Sequence, residues 1–354
     1  MKKRKVFIMA YARANVGDDL FIVTLLEKYK DIDFYIGIKE MSFAKAFKEY
    51  KNITVIENNE ENFAGRIPEK YDAYIYVGGS IFMEGGKVYN LDNECNEFMK
   101  KCYNKKIPFF YVSSNFGPYQ TQEYFDLAKD TFKYCKDICF RDMYSYKLFQ
   151  DISTVRYAPD LIFNLENIDD NIQKNTVGIS IIDMSIRKNL QKYENTYIEC
   201  MINNIIKYIE QGKIVYLFSF CKEENDENAI EYIESQIPEQ YKHSLKKVYY
   251  DGNIKEFVKT YKSMEYMMCC RFHAKIISVA LGQKMYILSY SKKIDNVIQD
   301  LSLAEKYTNI ENLEENTYIN LNDFKEVDKE KISQIKEESK NQLLKIDEWY
   351  LDIK

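Results

Sequence analysis

Lys5-Val6-Phe7-Ile8-Met9-Ala10-Tyr11, followed by Asn15-Val16-Gly17-Asp18, an amphipathic stretch over 19–29 and a second apolar run over 33–38, opens the chain. Seven apolar-rich residues are too few for a helix, the glycine turn interrupts them, and the next eleven have helical spacing. Strand, glycine turn, helix and strand in that order make a βαβ unit, whose two strands run parallel. The same rhythm continues outward. In the first half, strands are predicted over 5–11, 33–38, 53–56, 73–77, 107–112, 137–140 and 155–157. Helices are predicted over 19–29, 41–50, 91–103, 122–135 and 143–150. Residues 166–176 are polar and aperiodic, and the domain boundary is placed there. The rhythm then restarts, with strands over 177–182, 214–218, 247–250, 266–269 and 285–288 and helices over 196–210, 225–236, 254–261 and 272–281. A charged amphipathic helix over 329–350 ends the pattern; it packs back across the boundary or caps the second half. The expectation is two Rossmann-like doubly wound α/β domains in tandem, residues 1–166 and 177–354, the second carrying the C-terminal helix.

Composition excludes several classes. The 354 residues are 46% apolar and 30% charged, which is globular composition, and length favours two domains. No uncharged run approaches the roughly 18 residues of a membrane span. The basic start is followed by an apolar run too short for a secretory signal core, so a cytoplasmic protein is expected. A formal charge of −5 speaks against nucleic-acid binding. Eight cysteines show no Cys-x-x-Cys pair and only two histidines, His243 and His273, accompany them. Neither a metal site nor disulfides are expected. The 31 tyrosines and 21 phenylalanines read as compositional drift more than function.

Ligands of open α/β sheets bind beyond the carboxyl ends of the strands, so the loops there carry the chemistry. Glycine is scarce, twelve in all, yet Gly17, Gly78, Gly79, Gly85, Gly86 and Gly117 follow predicted strands of the first half. Each alone reads as an ordinary turn. Together Asn15, Gly17 and Asp18, then Gly78, Gly79 and Ser80, then Asn115 and Gly117 read as a floor that a ligand must approach closely. None matches a dinucleotide or P-loop fingerprint. Arginine is scarcer: of 50 basic residues seven are arginine. A chain that spends lysine on its surface keeps arginine for a planar fork. Arg141 and Arg271 directly follow strands, and Arg187 lies five residues past one. Arg187 reads equally as a solvated loop charge, and Arg141 as a pair with Asp142 or a helix start. His273, two residues after Arg271 at a strand-to-helix turn, reads as a structural or a catalytic histidine, its protonation open to the helix dipole and a bound anion. His243 lies in a polar surface stretch.

With these residues in view the chain resembles the polysaccharide pyruvyl transferase family. The resemblance rests on ordered short motifs: Asn15-Val16-Gly17-Asp18, Val77-Gly78-Gly79-Ser80, Asn115-Phe116-Gly117-Pro118, Arg141-Asp142-x-x-Ser145, Ala158-Pro159-Asp160, Val177-Gly178-Ile179-Ser180, Arg271-x-His273 and Tyr290-x-x-Lys293. It departs from the family pattern at Ser80 and in the distance of Arg187 from its strand. The resemblance implies a GT-B-like fold and transfer of pyruvate from phosphoenolpyruvate to a sugar of a cell-surface glycan, as a ketal. It implies no cofactor, His273 as catalytic acid and base, and donor binding by Arg271, Arg141, Lys293 and Arg187. The glycine loops of the first domain then serve the acceptor. A lipid-linked acceptor would add peripheral contact with the inner face of a membrane, and the oligomeric state is left open. The rival readings are a nucleotide-sugar glycosyltransferase of the same architecture and a non-catalytic relative.

Overall fold

The computed structural model describes residues 3–57, 63, 66–86, 89–165, 171–303 and 307–352, apart from the side chains of residues 292–293. Two all-parallel sheets form. The first is built from Arg4–Met9 (β1), Ile32–Ile38 (β2), Ile53–Glu57 (β3), Ala73–Val77 (β4), Phe109–Ser114 (β5), Asp137–Phe140 (β6) and Val155–Tyr157 (β7). The second is built from Gln173–Ser180 (β8), Ile214–Ser219 (β9), Leu245–Tyr249 (β10), Met264–Cys269 (β11), Lys284–Ser289 (β12) and Thr308–Asn309 (β13). Their orders are β3-β2-β1-β4-β5-β6-β7 and β10-β9-β8-β11-β12-β13. Each order reverses direction once, between β1 and β4 in the first sheet and between β8 and β11 in the second. Central strands such as β4 and β5 are buried along their whole length, which is why they read as unbroken apolar runs.

Contacts divide the chain into two compact units. One comprises Met1–Arg13, Asp18–Asn164 and Ile335–Lys354; the other comprises Ala14–Gly17 and Leu165–Gln334. The division differs from the sequence boundary at two places. Residues 14–17 belong with the second sheet, and the last twenty residues belong with the first. Part of the proposed boundary, 166–170, lies outside the described residues. Its other end, from Gln173, is already strand: β8 begins in exposed residues whose polar sequence hides the ladder.

The C-terminal segment is not one helix. It runs as Lys329–Ser339, a 3₁₀ turn Lys340–Leu343, and Leu344–Leu351. The break lies where side chains enter the first unit. Gln342 Oε1 accepts the Ser113 N–H at 2.8 Å, and its Nε2 donates to the Ala158 carbonyl at 2.6 Å. Ser339 Oγ donates to the Asp160 carbonyl at 2.7 Å. Arg156 holds Asp137 by two bonds of 2.7 and 2.8 Å and reaches the carbonyls of Asn341 and Gln342. These polar groups at the ends of β5, β6 and β7 need partners once buried, and the broken helix supplies them. Elsewhere, the helix expected over 41–50 is the 3₁₀ segment Met41–Phe47, and Lys292–Asp300 is a helix not anticipated.

The aromatic excess has a use. Phe82, Tyr111, Phe116, Phe132, Phe140 and Phe149 form one cluster in the core of the first unit, its pairs tilted, edge-on or stacked, with centroids as close as 4.7 Å. Among the described residues no helix is long and apolar enough to cross a membrane.

The Gln342 anchor generates a prediction. Gln342→Ala leaves a buried N–H and a buried carbonyl without partners, at about 1–3 kcal/mol each. A fall of roughly 2–4 kcal/mol is expected in chemical denaturation followed by far-UV circular dichroism; a loss below about 0.5 kcal/mol would show that water replaces the side chain.

Candidate active site

The reversal points locate two clusters, one per unit. In the second unit, β8 and β11 lie side by side with Ser180 opposite Cys269. Ser180 Oγ accepts the N–H groups of both Cys270 (2.8 Å) and Arg271 (3.2 Å), which fixes the turn leaving β11. Arg271 is the residue before the helix Phe272–Ala280, and His273 is its second residue. Sequence placed both at a strand-to-helix turn, and there they lie.

Arg271 is 6% exposed, so its charge needs compensation. Its Nη1 donates to Glu224 Oε2 at 2.5 Å and its Nη2 to Asp226 Oδ1. Both acids come from the loop after β9. Asp226 is anchored further: its Oδ2 accepts the N–H groups of Phe220 (3.0 Å) and Cys221 (3.1 Å). Arg187 joins through the same Glu224 oxygen, at 2.5 Å from Nη2, while its Nε donates to the Asp183 carbonyl at 3.2 Å. Its guanidinium carbon lies 5.6 Å from the Tyr290 ring centroid. Arg187 is therefore no solvated loop charge.

Asn15 and Gly17 belong to this cluster. Val16 donates its N–H to the Phe220 carbonyl at 3.1 Å, and Asn15 bridges Cys221. Asn15 Nδ2 donates to Glu224 Oε1 at 3.3 Å, and Asn15 Oδ1 accepts the Gly17 N–H at 3.0 Å. A Cβ on Gly17 would stand 1.7 Å from His273 Nδ1, so glycine here is what lets the imidazole lie against the backbone.

Glu224 and Asp226 escaped the sequence reading. Acidic residues number 55, so two of them in a polar loop carry no signal. Only the scarcity of arginine hinted that such partners must exist. The two acids diverge in charge. Burial drives Asp226 up from 3.8 to about 6, against the pull of Arg271. Burial works the same way on Glu224, but Arg271 and Arg187 prevail and hold it down at about 2.

The first unit has its own arginine. Arg141 is 3% exposed; its Nη1 donates to Asp160 Oδ2 at 2.7 Å and its Nη2 to Asn115 Oδ1 at 3.0 Å. Ser80 Oγ donates to the same Asn115 oxygen at 3.4 Å. A Cβ on Gly79 would lie 2.0 Å from Arg141 Nη2, so this glycine makes room for the guanidinium. The loops after β4, β5, β6 and β7 are thereby tied together, and the fork of Arg141 is spent on protein acceptors. Asp142 caps the helix Met143–Phe149, taking the Ser145 N–H at 2.8 Å, and Ser145 Oγ accepts the Phe116 N–H at 2.7 Å. Gly78 has Asp18 within 3.7 Å of its Cβ position, and Gly117, at φ +92°, ends the β5 loop in a conformation that favours glycine. The side chain of Lys293 lies outside the described residues. Among the described residues no group of three or more His, Cys, Asp or Glu side chains could hold a metal ion.

Solved structures define the class of fold. A UDP-N-acetylglucosamine 2-epimerase aligns at TM-score 0.56 and 9% identity, over 100% of this chain and 97% of that one. HepE of Anabaena, in complex with UDP and glucose, aligns at 0.54 and 10%, over 97% and 95%. MnaA of S. aureus with UDP aligns at 0.54 and 11%, over 88% and 86%. With two parallel sheets flanked by helices, the chain has the two-domain GT-B-like fold. The polysaccharide pyruvyl transferase family model matches residues 15–292, and the chain belongs to that family.

The split between the two acids can be tested through stability. Folded Asp226 holds its proton more tightly than the unfolded chain does, so its contribution is complete below pH 3.8 and is lost as pH rises through about 6. Glu224, lowered instead, contributes fully above pH 4.5 and loses that only as pH falls toward 2. Between about pH 4 and pH 6, calorimetric melting of the wild type should therefore decline relative to Asp226→Asn. Parallel curves would place the titration elsewhere.

Proposed function

We propose that the protein transfers the pyruvyl group of phosphoenolpyruvate to two hydroxyls of a sugar in a cell-surface glycan or its precursor. What supports the reading is the convergence of Arg187, Arg271 and His273 in one unit, at the reversal point of its sheet, in a chain of this family. The donor is small and polyanionic, and forked cations match its carboxylate and phosphate. Arg271 and Arg187 are assigned to those groups, with Lys293 as a helper. His273, partly exposed at the start of its helix, is assigned the proton transfers.

The chemistry balances with donor and acceptor alone. The donor methylene takes a proton and becomes a methyl group, which leaves cationic character at the central carbon. One sugar hydroxyl bonds to that carbon. The second displaces phosphate as the carbon–oxygen bond to phosphorus's oxygen breaks. Of the two hydroxyl protons, one is balanced by the new methyl hydrogen and the other leaves with phosphate. No cofactor enters the proposal. In the first unit, Asp18, Gly78, Gly79, Ser80, Asn115 and Gly117 are assigned to the acceptor side. Arg141 serves there as the strut that holds these loops, rather than as a donor ligand.

A second reading, a nucleotide-sugar transferase using Arg271 and Lys293 on a diphosphate, is favoured by one observation: HepE and MnaA of the same fold are seen with UDP. Thermal-shift screening separates the two, since stabilisation by UDP- or GDP-sugars without any by phosphoenolpyruvate would support the second.

Phosphate release from phosphoenolpyruvate with sugar-lipid or nucleotide-sugar acceptors tests the first. His273→Ala should lower turnover by about 10²–10⁴; unchanged turnover removes the catalytic assignment. Arg271→Lys should raise the donor KM by roughly tenfold or more, because an ammonium cannot reproduce the fork. An unaltered donor KM would count against donor binding at Arg271.

A further inference from the structure

The loop after β9 carries an anion against the two guanidiniums assigned above to the donor. One oxygen of Glu224, Oε2, lies 2.5 Å from Arg271 Nη1 and 2.5 Å from Arg187 Nη2, bridging the two guanidiniums. The side-chain bonds of Glu224 among the described residues are to other side chains, those of Arg271, Arg187 and Asn15. Asp226 differs. It takes two backbone N–H groups as well as Arg271, and its side chain is 0% exposed against 24% for Glu224. Asp226 is thus built in, whereas Glu224 is held by contacts that a competing anion can replace one for one. Glu224 ends the short turn Lys222–Glu224, and Asn225 after it takes the left-handed conformation at φ +59°, at the junction with the helix Asp226–Gln236. With its carboxyl held at about 2, Glu224 is charged at any working pH.

We propose that Glu224 is a stand-in anion, seated between Arg187 and Arg271 until the donor's anionic group displaces it, while Asp226 keeps Arg271 in position. The inference rests on the reading that these arginines hold the donor. It adds a source of selectivity. Displacement exchanges a tethered carboxylate for a free ligand, so a weakly charged ligand gains nothing, while one with two or more negative charges can win both guanidiniums. The site would then discriminate by charge before any contact with the rest of the donor.

Calorimetric titration of the wild type, Glu224→Gln and Glu224→Ala with inorganic phosphate, pyruvate and phosphoenolpyruvate tests it. Removing one negative charge in contact with the seat should tighten phosphate binding at least tenfold in both variants. Equal or weaker binding of all three anions would overturn the proposal and make Glu224 a positioning residue for the arginines. If phosphoenolpyruvate binds the wild type and both variants alike, the pyruvyl reading stands and the stand-in falls. If the variants gain phosphate affinity but nothing binds phosphoenolpyruvate, the stand-in stands and the pyruvyl reading falls. Should either variant lose its cooperative melting, a wild-type crystal grown with phosphoenolpyruvate decides. Glu224 moved off both arginines with the anion in its seat supports the proposal; Glu224 unmoved beside a bound donor overturns it.

Discussion

Charge compensation around Arg271 is the constraint on which the carboxyl edge of the second sheet depends. A guanidinium this buried cannot persist without anionic partners, and the loop after β9 brings two. Meeting that demand determines much else. Asp226 must start its helix where its second oxygen can take the Phe220 and Cys221 amides, and those two residues in turn supply the backbone partners of Asn15 and Val16. Ser180 adds the other fixed point by taking the two amides that lead into Arg271. A buried ion pair is weak evidence for stability, since desolvation offsets most of its attraction. Its worth here is geometric: it sets the direction of a fork.

The first unit solves a parallel problem with different means. Arg141 is as deeply buried, yet its partners are an aspartate and an amide from neighbouring strand ends, and its space comes from the missing side chain of Gly79. The same unit closes its carboxyl edge with Ser339 and Gln342 from the end of the chain. The two arginines that looked alike in sequence therefore differ in what surrounds them. Arg141 is surrounded by fixed acceptors. Arg271 shares one acceptor, Glu224, that is partly exposed and also claimed by Arg187.

Much of this was legible before any coordinates. Among the described residues, twelve of the thirteen strands overlap the predicted runs, and the central ones, such as β4 and β5, are buried along their whole length and so apolar in most positions. The exception, Thr308–Asn309, is two residues long and has no pattern to show. The break in the C-terminal helix was hidden for another reason. Its cause is a set of carbonyls and amides at the ends of β5 and β7, 184 and 229 residues away, and periodicity within the helix does not register them.

Residue scarcity and spacing alone pointed to the parallel α/β fold, to the glycine loops, and to Arg141, Arg187, Arg271 and His273 as the residues to examine. These are local properties, or rarities that stand out against a lysine-rich background. Tertiary structure alone decided which carboxylates meet the arginines, and that Asn15 and Gly17 lie with the second sheet. Those outcomes depend on burial and on pairings between segments far apart in the chain, where one acid among many looks like any other until folding removes its water.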